Sequence, residues 1–404
     1  MVGVWIRKGF RLAAAILLGA TFLSAASQPR PRIDWSALRG VNFIPSYARS
    51  SEEIWENYDH DAMNRELGFA AGLGFNSVRV FLQYLAYRKN PAKMISSLGD
   101  FLNLCARYHL TVMPVLFDSC GLDSRPDSVV MSSRQAYLKF LANPSLSPEA
   151  KARLKRVYGP YALGRGQAVP VPIGRTTPGD ILLWGWWTPS PGFRLLTERH
   201  WPALETYVDA IAGRFRDNPQ IVAWEVMNEP ETLMDLPPGD TMAEAQVRVH
   251  RFLAHFSTYI KNRYPDRPVT IGSGNLESMK KTEPDVNVLS LHVYKPAEQT
   301  IEEIDGAKAF ASRAGKPLLI TECLANTNQW LTIFAEQRLA SDEGQLAHYQ
   351  KILPILMNSH LGWYSWGFIV GHLFGGFTGI IYQNGYRRPA AMYLARTLRS
   401  GAPR

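Results

Sequence analysis

The chain has 404 residues, which is enough for one large barrel or for two modest domains. Its formal net charge is +9, but the Lys and Arg residues are scattered and form no run of five, so the charge indicates a solvated surface rather than a nucleic-acid site. Three cysteines are too few for a disulfide framework, and we expect at most one bridge among Cys105, Cys120 and Cys323.

The first 26 residues have the pattern of a secretory signal peptide. Basic residues precede an apolar run at 12–23, and small residues at 24–26 suit cleavage after Ala26. The run is shorter than the roughly 20 residues that a membrane span needs, so we favour export, to the periplasm or the exterior, over an uncleaved anchor. Residues 27–34 then form a linker ahead of a single predicted domain over 35–400.

Strand-like and helix-like segments alternate along that domain. The predicted strands are Val41–Ile44, Phe75–Leu82, Leu110–Phe117, Ile221–Met227, Val269–Ile271, Val288–Leu291, Leu318–Ile320 and Gly362–Phe368. The predicted helices are Asp61–Leu73, Met94–Tyr108, Trp201–Phe215, Thr241–Tyr264, Leu276–Lys281, Ile301–Ala314 and Asp342–Asn358. This alternation indicates an α/β protein with a parallel sheet, and a (β/α)8 TIM barrel is the economical closure. An open, doubly wound sheet is the alternative, because periodicity does not reveal closure.

One connection is far longer than the others. Residues 118–196 separate the third strand from its helix, and a connection of this length is commonly functional. It contains a predicted helix at Ser133–Tyr158 and a Pro/Gly-rich stretch with Trp184, Trp186 and Trp187. Since the insertion leaves the carboxyl end of a strand, we expect it to lie over the face where barrel active sites form.

Two predicted strands run directly into glutamates. Residues 224–230 read Trp-Glu-Val-Met-Asn-Glu-Pro and carry Glu229, while residues 318–323 read Leu-Leu-Ile-Thr-Glu-Cys and carry Glu322. The carboxyl ends of barrel strands share one face, so both side chains should converge there. A carboxyl pair flanking a glycosidic bond is the minimal machinery for its hydrolysis, and neither role needs a metal or another cofactor.

These motifs resemble glycoside hydrolase family 5 and its wider clan A. In that family an Asn-Glu-Pro ending strand 4 carries the acid/base and a Glu ending strand 7 is the nucleophile, which implies these roles for Glu229 and Glu322. The separation, 322 − 229 = 93 residues, leaves room for about three β/α units. The resemblance implies a retaining β-glycoside hydrolase, cellulase- or mannanase-like, that cleaves β-linked glycans by double displacement.

Further positions resemble the family's supporting residues. His292 and Tyr294 share one face at the end of strand 6, where the family's His organises the acid/base and its Tyr binds the nucleophile. Arg79 lies in an apolar strand and needs a carboxylate partner, and the family's matching Arg contacts the nucleophile. We expect this cation and the phenol to keep Glu322 ionised, while desolvation keeps Glu229 protonated.

Substrate contacts follow from the same comparison. Trp366 ends strand 8, where the family places an aromatic floor beneath the sugar, whereas Trp363 is predicted to be core. Family members commonly carry a His at the end of strand 3, and we expect Asp118 to replace its contact with a substrate hydroxyl. This departure leaves the sugar and the membership of family 5 or a neighbouring clan A family open. The predicted substrate-binding residues are Asn42, Arg79, Asp118, Asn228, His292, Tyr294, Trp186, Trp187 and Trp366.

Some interpretations stay open at this point. Glu225 shares a strand face with Glu229 and is either an acid that supports the site or an ordinary polar residue of the barrel layers, and we favour the second. Cys105 and Cys323 are predicted to pack as small apolar residues. A transglycosylase and a carbohydrate-binding protein without turnover are the rival functions. The predicted partner is an oligo- or polysaccharide, with no nucleic acid, no stable membrane insertion and a monomeric chain.

Overall fold

The computed structural model describes residues 33–120, 122–128, 187–236, 239–325, 341–371 and 378–400, with short pieces at 144–145, 147–149, 171–172 and 182–183. The described residues from Asp34 onward fall in one compact unit. The predicted signal peptide, Trp184, Trp186 and most of the predicted helix at Ser133–Tyr158 lie outside the described residues.

Eight parallel strands form the central sheet. They are β1 Arg39–Asn42, β2 Ser77–Phe81, β3 Thr111–Asp118, β4 Trp224–Asn228, β5 Val269–Gly272, β6 Leu289–His292, β7 Leu318–Cys323 and β8 Gly362–Ser365. Hydrogen-bonded neighbours run in the order β6-β7-β8-β1-β2-β3-β4-β5. A parallel bridge between Ser273 and Leu291 joins the end of β5 to β6 and closes the ring. The prediction of a (β/α)8 barrel is confirmed, and the open sheet was the wrong alternative.

A helix follows each strand. These helices are α1 His60–Leu73, α2 Pro91–Arg107, α3 Trp201–Val208, α4 Met242–Arg263, α5 Leu276–Thr282, α6 Ala297–Ala314, α7 Asp342–Asn358 and α8 Pro389–Ser400. Two shorter helices, Glu53–Glu56 and Tyr84–Lys89, lie in the connections after β1 and β2. The Asp59 side chain caps α1, and Gly74 ends it with a φ of 102°. No helix in the described part of the chain is long and apolar enough to cross a membrane.

The sequence analysis predicted seven of these helices and missed α8, although its sequence has a helical apolar pattern. Its buried face consists of Ala390, Ala391, Leu394 and Ala395. These residues form one apolar stripe of an amphipathic helix, and that stripe packs against the neighbouring helices α7 and α1.

Packing inside the barrel explains the glycine at position 40 in β1. A Cβ atom on Gly40 would lie 2.1 Å from the ring of Tyr364 on β8, so only glycine fits there. The Tyr364 hydroxyl lies 2.8 Å from Ser77 Oγ on β2. Trp363 is fully buried, as predicted. All three cysteines are free, and Cys105 and Cys323 are fully buried, as predicted.

The end of the long insertion is attached to the carboxyl ends of β2 and β3. The Asp118 amide donates to the Ser190 carbonyl at 2.6 Å, and the Ser190 amide donates back at 2.9 Å. The Thr188 carbonyl accepts from Gln83 Nε2 at 2.8 Å, just beyond β2. The chain therefore returns from the insertion at the same face of the barrel on which the strands end.

Candidate active site

Glu229 stands one residue beyond β4 in an unusual backbone conformation. Its φ is 43°, in the left-handed region that non-glycine residues rarely adopt. Its amide donates to the Gly272 carbonyl at 2.7 Å, and its carbonyl accepts from Thr232 Oγ1 at 2.7 Å and from Ser119 Oγ at 2.8 Å. Strained backbone persists only where its surroundings fix it, and these contacts hold the backbone from which the Glu229 side chain projects.

The two predicted carboxyls converge on His292. Glu229, His292 and Glu322 each offer an atom within 4.8 Å of the others. His292 Nδ1 lies 2.9 Å from Glu229 Oε1 and 3.5 Å from Glu322 Oε2. By distance alone these atoms could also surround a cation. Here, however, His292 is hydrogen-bonded to Glu229, and Arg79 supplies positive charge to Glu322.

Arg79 is fully buried and uses all five of its N–H donors. Nε and Nη2 donate to the two carboxylate oxygens of Glu225 at 2.7 and 2.5 Å. Nη1 donates to Glu322 Oε1 and to Asn42 Oδ1, both at 2.6 Å, and Nη2 donates to Asn228 Oδ1 at 2.7 Å. The predicted carboxylate partner of Arg79 is therefore present twice, and one of the two is Glu322.

The interpretation of Glu225 as an ordinary polar residue of the barrel layers was wrong. Glu225 is fully buried and forms a bidentate pair with Arg79. Two planar N–H···O contacts fix the guanidinium in the plane that presents Nη1 to Glu322. A single-strand pattern cannot reveal this role, because the partner lies on β2, 146 residues away.

Burial and hydrogen bonding affect the pKa values of Glu229 and Glu322 differently. Burial raises the pKa of Glu229, and the thiol of Cys120 and the charge of Arg79 oppose only part of that rise. Burial also raises the pKa of Glu322, but Glu322 accepts directly from Arg79 and, at 2.5 Å, from the Tyr294 hydroxyl. The donors from Arg79 and Tyr294 therefore favour the ionised form of Glu322, while burial favours the neutral form of Glu229.

His292 lies between Glu229 and Glu322 and is neutral. Burial lowers the pKa of His292 to about 4, so the imidazole carries no charge near neutral pH. The neutral ring can form its hydrogen bond between Nδ1 and Glu229 Oε1 without placing a second positive charge beside Arg79.

Asn228, Asp118 and Trp187 form a connected chain beside Glu229. Asn228 Nδ2 donates to Asp118 Oδ1 at 3.0 Å, and the Trp187 indole N–H donates to Asp118 Oδ2. Burial raises the pKa of Asp118 to about 6. Asp118 is only 3% exposed and its oxygens face these donors, so its contact with a substrate hydroxyl stays a prediction.

The remaining predicted residues differ in their exposure to a ligand. Asn42 is buried, and its Nδ2 donates to the Thr321 and Ser365 carbonyls at 3.0 and 3.2 Å, which joins β1 to β7 and β8. Trp366 follows β8 and stands edge-on to Phe81 with ring centroids 6.1 Å apart. Trp186 lies outside the described residues. The predicted substrate contacts of Asn42, Trp186 and Trp366 therefore stay predictions.

Glu231 belongs to this site although sequence reasoning assigned it no role. Its carboxylate accepts from the Gly274 amide and, at 2.7 Å, from Ser278 Oγ. A Cβ on Gly274 would lie 2.3 Å from that carboxylate and 3.5 Å from Glu229 Oε1, so glycine is required there. Burial raises the pKa of Glu231 to about 7. The available signal was a second acid two residues after Glu229.

Part of the barrel matches a known protein family. A family model described as cellulase (glycosyl hydrolase family 5) matches residues 196–369, the segment that carries both glutamates. Over this segment the barrel is similar to glycoside hydrolase family 5. No curated protein matches the sequence.

Solved structures share the fold of this family 5-like barrel. A GH5_18 protein from Streptomyces cattleya in complex with Manβ1-4GlcNAc has a TM-score of 0.56 at 15% identity, over 91% of this chain and 83% of that one. A GH5_18 protein from Bifidobacterium longum subsp. infantis has a TM-score of 0.56 at 13% identity, over 91% and 80%. The exo-β-1,4-mannosidase Op5Man5 from Opitutaceae bacterium strain TAV5 has a TM-score of 0.54 at 17% identity over 91% of this chain, which spans 62% of that protein. Identities this low show a common fold.

Tyr294→Phe provides a test of the charge distribution in the family 5-like site. Loss of the hydroxyl that donates to Glu322 should raise the pKa of that carboxyl. The acidic limb of the pH profile of kcat/KM should therefore move to higher pH, with the basic limb unchanged. We expect kcat to fall about tenfold, the scale of one hydrogen bond to a charged group. The control is Tyr259→Phe on α4, which removes a hydroxyl that donates to another carboxylate, Asp209, at 2.9 Å. An unshifted acidic limb in Tyr294→Phe would contradict a role of the Tyr294 hydroxyl in keeping Glu322 ionised.

Proposed function

We propose that the chain is a retaining β-glycoside hydrolase in which Glu229 is the general acid/base and Glu322 the nucleophile. The observation that carries this proposal is the 4.8 Å limit on the separation of the facing atoms of Glu229, His292 and Glu322. Retaining enzymes hold their carboxyl groups about 5 to 5.5 Å apart, whereas inverting enzymes leave about 6.5 to 9.5 Å for a water molecule. The short separation favours direct attack by a carboxylate.

The proposed reaction has two displacements. In the first, a Glu322 oxygen bonds to the anomeric carbon as the bond to the leaving oxygen breaks, and Glu229 gives its proton to that oxygen. In the second, Glu229 takes a proton from water, whose oxygen displaces Glu322 and restores the β configuration. Arg79 and Tyr294 stabilise the carboxylate that leaves in this step.

The proposed substrate class is a β-linked glycan, and we infer that β-mannosides are the first to test. Of the barrels that share the fold, one is an exo-β-1,4-mannosidase and another is in complex with Manβ1-4GlcNAc. The indole of Trp366 at the end of β8 offers an apolar face for the CH face of a pyranose. We further propose that the protein is exported, on the strength of the signal-like pattern over residues 1–26.

A hydrolysis screen tests the proposed function. Purified protein would be incubated with aryl β-mannosides, β-glucosides and β-xylosides, and with mannan, β-glucan and xylan, with Glu322→Gln as the inactive reference. The matched control is Glu277→Gln, at an exposed glutamate paired with Lys280. We expect turnover of at least one β-glycoside by the native protein and the control, and release of the β-anomer first.

Other outcomes of the screen would identify the rival functions. Binding without hydrolysis over the whole panel would favour a carbohydrate-binding protein. Transfer of the glycosyl group to an added sugar in preference to water would indicate a transglycosylase. Initial release of the α-anomer would contradict retention.

A further inference from the structure

Asp118 is a buried carboxylate whose hydrogen-bond partners come from three parts of the chain. Oδ1 accepts from Asn228 Nδ2 at 3.0 Å and from the Cys120 amide at 2.9 Å, and Oδ2 accepts from the indole N–H of Trp187. Trp187 belongs to the long insertion, 69 residues further along the chain. The carboxylate therefore joins the end of β4 to the returning end of the insertion.

Trp187 is held firmly enough to act as a fixed donor. Its side chain is 6% exposed, and its ring stands edge-on to Phe81 with centroids 4.8 Å apart. The same Phe81 ring lies 4.7 Å from the guanidinium carbon of Arg79. Three residues later the insertion forms its antiparallel bridge with the Asp118 backbone through Ser190. A side chain restrained in this way costs little further entropy when it donates a hydrogen bond.

These contacts determine the orientation of the Asn228 amide. Arg79 only donates, so it requires Oδ1 on its side, and the Asp118 carboxylate only accepts, so it requires Nδ2 on the other. A flip of the amide would place N–H groups against the guanidinium and an oxygen against the carboxylate. Asn228 directly precedes Glu229, whose φ of 43° leaves it little freedom to absorb a displacement.

We propose that Asp118 and Trp187 are a positioning pair through which the insertion fixes Asn228, and through Asn228 the acid/base carboxyl of Glu229. The proposal rests on the proposed glycosidase function and extends it to residues that do not touch the reacting atoms. It also gives a physical reason for an aspartate at the end of β3. A carboxylate, unlike a neutral imidazole, can accept from the indole, the amide side chain and the backbone N–H at once.

A double-variant cycle in the full-length protein tests the pair. Trp187→Phe removes the indole N–H and keeps an aromatic ring. Asp118→Asn keeps the shape but turns an N–H toward the indole N–H, so two donors face each other. We expect each single variant to lower kcat about tenfold or more, the effect of one lost hydrogen bond to a buried charge, with little change in KM. In Asp118→Asn/Trp187→Phe the donor clash is gone, so its loss should be smaller than the product of the two single losses.

A matched control separates this effect from general damage to a buried tryptophan. Trp201 on α3 is also largely buried, and its indole nitrogen has no hydrogen-bond partner among the described residues. We expect kcat and KM of Trp201→Phe to stay within about twofold of the native values, because no hydrogen bond is lost. Losses in the double variant that multiply, or an effect on KM alone, would overturn the proposal, since a change in KM alone would mean that the pair binds sugar directly.

An activity-independent measurement keeps this test separate from the test of function. In a correlation spectrum of protein labelled with nitrogen-15 tryptophan, the indole signal lost in Trp187→Phe identifies Trp187. We expect that signal to move upfield in Asp118→Asn, because the acceptor carboxylate is gone. An unmoved signal would overturn the pair even in an active enzyme, while a moved signal in a protein without any glycosidase activity would leave the pair intact and refute the proposed function.

Discussion

Replacement of Glu322 by Ala is expected to lower kcat about 10⁴-fold or more, because the group that forms the covalent bond is gone. Sodium azide should then restore turnover of an aryl glycoside with a good leaving group. Azide fits the space of the lost carboxylate and attacks the anomeric carbon from the same side. The product should therefore be the α-glycosyl azide, identified by NMR.

Glu229→Ala is the matched comparison for this experiment. It removes a carboxyl of the same size from the same cleft, but leaves Glu322 to form the intermediate. Azide should then intercept that intermediate and give the β-glycosyl azide. An α-azide from Glu229→Ala, or undiminished activity in Glu322→Ala, would contradict the assigned roles.

Replacement of Arg79 by Met is expected to produce the largest loss of stability. The change leaves Glu225 and Glu322 without their shared cation at positions where their side chains are 0% and 4% exposed. Breaking a buried ion pair by removal of one partner costs about 3–5 kcal/mol of unfolding free energy, because an uncompensated charge stays buried. Urea denaturation at neutral pH would measure it.

Two further variants provide reference values for the loss of unfolding free energy in Arg79→Met. Arg79→Lys keeps the charge but lacks the planar set of donors, so we expect an intermediate loss. Arg216→Met removes an exposed partner of Asp217, and should cost less than about 1 kcal/mol. A loss for Arg79→Met no larger than that for Arg216→Met would show that the Arg79 cluster does not stabilise the fold.

The outcome of sequence reasoning depended on how far each contact reaches along the chain. Strand alternation and strand ends are local patterns, and from them the sequence alone predicts Glu229, Glu322, His292 and Tyr294 at one face of a barrel. Arg79 was also predictable, since a guanidinium in an apolar strand must have a partner.

The features that sequence reasoning missed arise from contacts between distant segments. Glu225 lies in an apolar strand, as Arg79 does, but the pattern does not state that the two pair. The donation from Trp187 to Asp118 depends on where the long insertion returns to the barrel, which no local periodicity encodes. Glu231 accepts from the Gly274 amide, and although the second acid after Glu229 is visible in the sequence, its backbone partner 43 residues away is not.

Trapping the covalent intermediate tests the central claim most directly. The protein would be incubated with the 2-deoxy-2-fluoro-β-glycosyl fluoride of the sugar identified by the screen, digested and analysed by mass spectrometry. The account predicts one added glycosyl unit on the peptide that carries Glu322, and loss of that label in Glu322→Gln. A label on any other residue would contradict it.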